Sequence, residues 1–263
     1  MPPAIVLIRH AQANHNINEK YHLPDPNLSG EGLLQCLELR ANLEGNIQAL
    51  ADAGQEVGLI LVSPMRRTIQ TALLSLSFLV DRGVPMEASA LWQENSDKPC
   101  DTGSPISELK EEFPMVDFSQ VDPVWPDKTS DKAGLYKYNK RAILERGQKA
   151  LEDVRGRKEK VVVVVSHSGF MRLGVTGRWF YNADYRIFEF EDGEGMGLRE
   201  WESTARGGLG KSFEERVELG EGIPEEDKVV KEGQGEGEGE VEKKYFYVSP
   251  DILPPQAFRD GWA

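Results

Sequence analysis

Cysteine is scarce. The 263 residues include two, Cys36 and Cys100, where a small secreted scaffold carries several pairs, so both are read as reduced thiols in a reducing, cytoplasmic compartment. Long apolar runs are missing as well. The first, Ala4 to Ile8, is cut off by Arg9 and His10, which suits a buried strand and not a signal sequence or membrane span. A basic excess is also lacking: the formal charge of −13 speaks against a nucleic-acid surface, because neutralising polymeric phosphate needs a basic face. No fixed-period repeat suggests a solenoid.

The acidity is unevenly spread. Residues 191–244 hold 17 acidic and 8 basic residues, a net of −9 that leaves −4 for the rest of the chain. This stretch is rich in Gly, Glu and Lys, and from Glu232 to Glu242 Gly and Glu nearly alternate, so it has little apolar area to bury. It is expected to be a flexible insertion within a single domain spanning 1–263. Beyond it, Lys244 to Val248, Phe258 and Trp262 regain aromatic character, which suggests a tail that docks back.

Ala4 to Ile8, Leu59 to Val62 and Val161 to Val165 read as strands covered on both faces of a parallel sheet. Ser29 can cap a helix that uses Leu33, Leu37, Arg40 and Leu43 and stops at Gly54. A second helix is expected after Ser63-Pro64 through Leu79, with proline in its first turn, and a third over Leu135 to Val154. Strand, helix and strand in this order predict an α/β fold, a three-layer α/β/α sandwich with a mainly parallel central sheet.

The unusual polar residues sit at the carboxyl ends of those strands: Arg9-His10 after the first, Ser63-Pro64 after the second, Ser166-His167-Ser168-Gly169 after the valine run. In an open parallel sheet these ends converge on one ligand crevice. Two histidines and two or more arginines there suit phosphoryl transfer, since guanidinium forks neutralise the charge spread over phosphoryl oxygens. A neutral His10 can attack phosphorus to form a phosphohistidine, and His167 can donate a hydrogen bond to the equatorial oxygens. The leaving alcohol needs a proton donor that later serves as a base for water. Glu94 follows the apolar Ala90-Leu91-Trp92 and then Gln93, and is the leading candidate; Asp101 is the alternative.

Leu7-Ile8-Arg9-His10-Ala11-Gln12, with Asn16 six residues past the histidine, resembles the Arg-His-Gly-Glu motif of the histidine phosphatase superfamily, the phosphoglycerate-mutase-like clan. Ser63-Pro64-Met65-Arg66-Arg67-Thr68-Ile69-Gln70-Thr71 is similar to its Ser-Pro-Leu-x-Arg-Ala-x-Gln-Thr segment, and Val165-Ser166-His167-Ser168-Gly169 resembles its second histidine motif. The resemblance implies a phosphate pocket of Arg9, His10, Arg67 and His167, with Glu94 at the acid position and no metal or organic cofactor. It places the family's second arginine on Arg67 and not Arg66. Asn16 is carried over as a substrate contact, and Ser168, where a second glycine is frequent, is taken as another. Ala11 and Gln12 replace the family's glycine and glutamate without removing a catalytic group.

After Glu94 the chain runs Asn95-Ser96-Asp97-Lys98-Pro99, without the Tyr-Gly-rich stretch and later Lys-Arg pair of the glycolytic mutases. Hydrolysis of a small phosphorylated metabolite is therefore expected over a phosphoglycerate-type mutase, and the chain resembles fungal phosphoglycerate-mutase-like proteins. Residues 95–135, with Trp125, are expected to cap the site. A metal site on His10, His15 and His22 is disfavoured because spacings of five and seven do not share one helical face, although His15 or His22 can border the pocket. A catalytically quiet interaction protein is disfavoured because every catalytic group is present. Arg66 reads as a solvated helix-start residue and Trp92 as core or pocket wall.

Overall fold

The computed structural model describes residues 1–193 and 195–225. Six strands form one sheet: β1 (Ala4–Arg9), β2 (Val57–Val62), β3 (Met86–Ala88), β4 (Val161–Ser166), β5 (Tyr185–Phe190) and β6 (Leu198–Glu200), in the order β3-β2-β4-β1-β5-β6. The pairs among β3, β2, β4 and β1 are parallel, and β5 and β6 add an antiparallel edge. Side chains alternate across the strands. Val6, Ile8, Val163 and Val165 face one core with Leu39, Leu43 and Ile47 of α1 (Gly30–Asp52) and Ile69 of α2 (Arg66–Ser75). Ile5, Leu7, Val162 and Val164 face a second core. The helices over the sheet make the expected three-layer sandwich, and each large aliphatic side chain in these cores contributes roughly 1.5–3 kcal/mol by leaving water.

The helices depart from expectation in informative ways. Ser29 does cap α1, its hydroxyl accepting from Gly32 N. Yet Leu33, Leu34 and Leu37 are exposed, and the buried face is Gln35, Cys36, Leu39, Leu43, Ile47 and Leu50. Gly32 sets this rotation: a Cβ there would lie 2.0 Å from Gln12 O, so the helix lies directly against the turn after β1. The second helix starts later than expected, with Pro64 ahead of its Met65 cap, and breaks at Leu76 into α2 and α3 (Ser77–Val80). Past α4 (Ile106–Glu112), the third helix is split into a 3-10 segment (Asp131–Tyr136) and α5 (Lys140–Arg155). The split follows from Asn139, whose side chain accepts from Ala142 N as a new cap. The three-residue β3 is too short to carry a periodic signal.

The expected insertion over 191–244 is corrected in its first half. Residues 198–200 form β6 and pair with β5, and Thr204, Ser212 and Ile223 are buried. Two buried side chains at the start of β5 hold this segment. Asp184 accepts from Leu209 N at 2.9 Å, Lys211 N at 3.2 Å and Ser212 Oγ at 2.7 Å. Arg186 donates to the carbonyls of Thr204 at 3.2 Å, Ala205 at 2.7 Å and Phe213 at 2.6 Å, and pairs with Glu200. Backbone satisfied by buried charged groups does not need an apolar sequence to order it. The Gly-Glu run and the aromatic tail lie outside the described residues.

The register decides where the chemistry can assemble. Arg9 pairs with Ser166 and Val62 with Val165, so β1, β2 and β4 end level with one another. On the far side of the sheet, α5 lies so close to the π-helical turn Met171–Thr176 that a Cβ on Gly147 would sit 1.8 Å from Gly174 O. Gly147→Ala, which in an exposed helix would stabilise by about 1 kcal/mol, is expected here to destabilise by about 2 kcal/mol or more. Urea unfolding of the two proteins measures the difference, and an unchanged midpoint would contradict this packing.

Candidate active site

His10, Ser63 and His167 each follow the last residue of a strand, and the level strand ends bring them together. The imidazole rings of His10 and His167 are 5.1 Å apart, and both residues are buried. His10 Nδ1 lies 2.7 Å from its neighbour's carbonyl, Ala11 O. Only an N–H approaches a carbonyl in this way, so the proton is on Nδ1 and Nε2 keeps its lone pair. That nitrogen receives a hydrogen bond from Arg67 Nε at 3.3 Å. Burial, followed by the charges of Arg67 and Arg9, holds the His10 pKa well below its usual 6.5, so the imidazole is neutral.

Arg67 comes from the first turn of α2 and is fully buried. It also donates to Cys100 O at 2.7 Å, Asp101 Oδ1 at 3.2 Å and His167 Nδ1 at 3.1 Å. A guanidinium cannot accept, so His167 carries its proton on Nε2, which donates to Ser63 Oγ at 2.8 Å. Burial and Arg67 lower the His167 pKa strongly as well. Arg9 is buried, with Nη1 donating to Phe180 O at 2.9 Å. Arg66 is not the solvated residue expected. Asp25 and, from α4, Glu108 and Glu112 pair with it because α4 crosses the start of α2.

Glu94 is buried beside the second histidine segment. Its Oε1 accepts from Asn95 N at 2.8 Å and its Oε2 from Gly169 N at 3.1 Å. A Cβ at position 169 would stand 2.6 Å from Oε1, so this approach requires glycine. Burial, then the nearby Asp101, raises the Glu94 pKa. Asp101 is committed elsewhere, to Arg67 and to the Ser96 hydroxyl at 2.6 Å. Trp92 is core, edge-on to Phe170.

Sequence reasoning missed the two buried cations that hold the Glu94 segment. Lys128 Nζ donates to the carbonyls of Glu94 at 2.7 Å and Ser96 at 2.8 Å, and burial pushes its pKa down to about 7. Arg146 donates to Gln93 O at 2.8 Å and Asn95 Oδ1 at 2.7 Å. Arg146 had a signal, since it interrupts the apolar face of α5 between Ile143 and Ala150. Lys128 had none, lying in a polar stretch of the 95–135 region. Beyond Glu94 a cleft open to solvent is lined in part by Asp101, Tyr138 and Arg172, and by Val217 and Glu221 of the segment expected to be flexible.

Other candidates are differently placed. Asn16 accepts from Ala13 N at 3.0 Å and donates to His15 Nε2 at 3.2 Å. The Ser168 hydroxyl is turned to Phe180 O at 3.4 Å. His15 is buried with its ring 5.8 Å from that of His10, whereas His22 is exposed. Among the described residues, no three His, Cys, Asp or Glu side chains form a metal-binding group, and no helix is long and apolar enough to cross a membrane.

The model of the histidine phosphatase superfamily (branch 1) matches residues 5–189, and the chain belongs to that family. It is similar to a probable phosphatase of Schizosaccharomyces pombe, 31% identical over 174 residues that cover 64% of this chain and 76% of that protein. A phosphoglycerate mutase-like protein of Arabidopsis thaliana is 31% identical over 205 residues, 64% of this chain and 71% of its own. Among solved structures, the ecdysone phosphate phosphatase of Bombix mori in complex with tungstate shares the fold, with a TM-score of 0.50 and 14% identity over 76% of this chain and 92% of that one.

The three buried imidazoles make stability depend on pH. His10, His15 and His167 stay neutral in the fold, while the unfolded chain takes up protons below the usual 6.5. Their contribution is therefore complete above that value and is lost as pH falls, by up to about 1.4 kcal/mol per pH unit for each. Glu94, with its raised pKa, acts in the opposite sense, but it is one group against three. Thermal unfolding should move to lower temperature between about pH 7.5 and pH 5; a flat profile would mean that the imidazoles ionise within the fold.

Proposed function

We propose that this member of the histidine phosphatase superfamily is a cytoplasmic hydrolase of small phosphate monoesters that works through a phosphohistidine on His10. The observation that carries the reading is the His10 tautomer: Nδ1–H is committed to Ala11 O, which leaves the Nε2 lone pair beside Arg67. The phosphoryl group lies between His10, His167, Arg9 and Arg67. Nε2 attacks phosphorus, the ester P–O bond breaks, and the leaving oxygen takes the proton of Glu94. Glu94 then removes a proton from water, whose oxygen attacks phosphorus; the P–N bond breaks, its electron pair returns to Nε2, and phosphate departs. The raised Glu94 pKa supports its role as the acid, and the commitment of Asp101 to Arg67 counts against the alternative.

His167 Nδ1 accepts from Arg67, so for Nδ1 to donate to a phosphoryl oxygen the ring first takes up a proton from solvent, and the arriving dianion favours that imidazolium. Arginine supplies the positive charge at the phosphoryl group, so the mechanism includes no metal. The two buried free thiols suit a reducing compartment.

Hydrolysis of p-nitrophenyl phosphate in excess chelator should persist in the wild type and fall by at least about three orders of magnitude in His10→Ala. Activity that survives the substitution, or is lost to chelator, would overturn the mechanism. Glu94→Gln should leave the initial burst of p-nitrophenolate within about tenfold, because that leaving group needs little protonation, yet slow an alkyl phosphate about 10²–10⁴-fold. Equal losses on both esters would point to a different acid.

A further inference from the structure

His15 is the buried titratable group nearest His10 that the mechanism leaves unused. It is 6% exposed, and its hydrogen bonds determine its tautomer. Ala13 N donates to Asn16 Oδ1 at 3.0 Å, which orients the amide so that Nδ2 faces His15 Nε2 at 3.2 Å. An amide nitrogen only donates, so Nε2 holds the lone pair and the proton of the neutral ring is on Nδ1. Nδ1 is buried and has no hydrogen-bond partner among the described residues. A buried donor without an acceptor is costly. The charged groups that act on it are Arg67 and Arg9, which repel a proton and accept nothing. The acceptor that suits a neutral N–H set among two guanidinium groups is an anionic oxygen.

We propose that His15 is a further phosphoryl-binding residue, donating from Nδ1 to an oxygen of the group held by His10, Arg9 and Arg67. The inference rests on the phosphoryl position given under the proposed function. Its pKa, pushed down to about 2 by burial and the two arginines, keeps His15 a neutral donor throughout the working range. Asn16, expected to touch substrate itself, then acts as a positioning residue: through its amide it holds the proton of His15 on the nitrogen that binds.

The test pairs His15→Phe, which keeps the ring shape and removes the N–H, with His15→Asn, whose side-chain amide can return a donor to the position of Nδ1. The readouts are inhibition by tungstate and kcat and KM on p-nitrophenyl phosphate. His15→Phe should weaken tungstate binding and lower kcat/KM by about ten- to hundredfold, and His15→Asn should lose at least about threefold less than His15→Phe on both readouts. Tungstate binding by His15→Phe within about twofold of wild type would overturn the proposal, as would equal losses in both variants. Should His15→Phe not fold, the wild type answers alone. With four histidines, nitrogen-15 histidine spectra can follow each ring, and the His15 Nδ1–H signal must shift when tungstate is added; no shift overturns the proposal. Normal turnover that depends on His10 but not on His15 would sink this inference alone, whereas a wild type that neither turns over nor binds tungstate would sink the phosphoryl site with it.

Discussion

The guanidinium of Arg67 ties together the segments that build the site. From the start of α2 it reaches His10 after β1, His167 after β4, and Cys100 and Asp101 in the loop that follows Glu94. A buried cation is expensive unless its donors are used and its charge is answered, and here one carboxylate and one carbonyl supply that answer. Burial, reinforced by the same charge, keeps both imidazoles neutral. The charge thus favours a lone pair on His10 and leaves the pocket with positive charge for an anion. The level ends of β1, β2 and β4 make this possible, because a shift of one residue in any pairing would reverse the faces of its side chains.

A similar arrangement surrounds the proposed acid. Among the described residues no cation is bonded to the Glu94 carboxylate; Lys128 and Arg146 nearby hold backbone and side-chain oxygens of residues 93–96 instead. The loop is thereby anchored by strong charge-assisted bonds. Among the described residues the carboxyl accepts from two backbone N–H groups, and desolvation remains the largest influence on its pKa. Gly169 joins this arrangement to the second histidine segment, since only glycine permits the carboxylate to come so close. The edge of the sheet contributes in turn: Asp184 and Arg186 draw 200–213 against β5, and the chain that continues from there supplies Val217 and Glu221 to the cleft wall.

What the sequence by itself determined is what local chemistry decides. The apolar runs that become β1, β2 and β4, the Ser29 cap, and the chemical residues placed just past strand ends were legible because strand burial, capping and chain order are properties of a few adjacent residues. His10, Arg9, His167 and Glu94 could therefore be named as candidates before any contact was known, and Arg67 was added by the family resemblance. The tertiary structure decided the rest. The rotation of α1 depends on a backbone contact with Gln12, the order of 200–213 on two buried charges of the neighbouring strand, and the tautomers of His10, His15 and His167 on partners fixed by folding. Lys128 and Arg146 are ordinary surface residue types until distant carbonyls surround them. Whether a charge is buried, and which proton a ring keeps, is set by what other segments bring within hydrogen-bond distance, and no local pattern contains that.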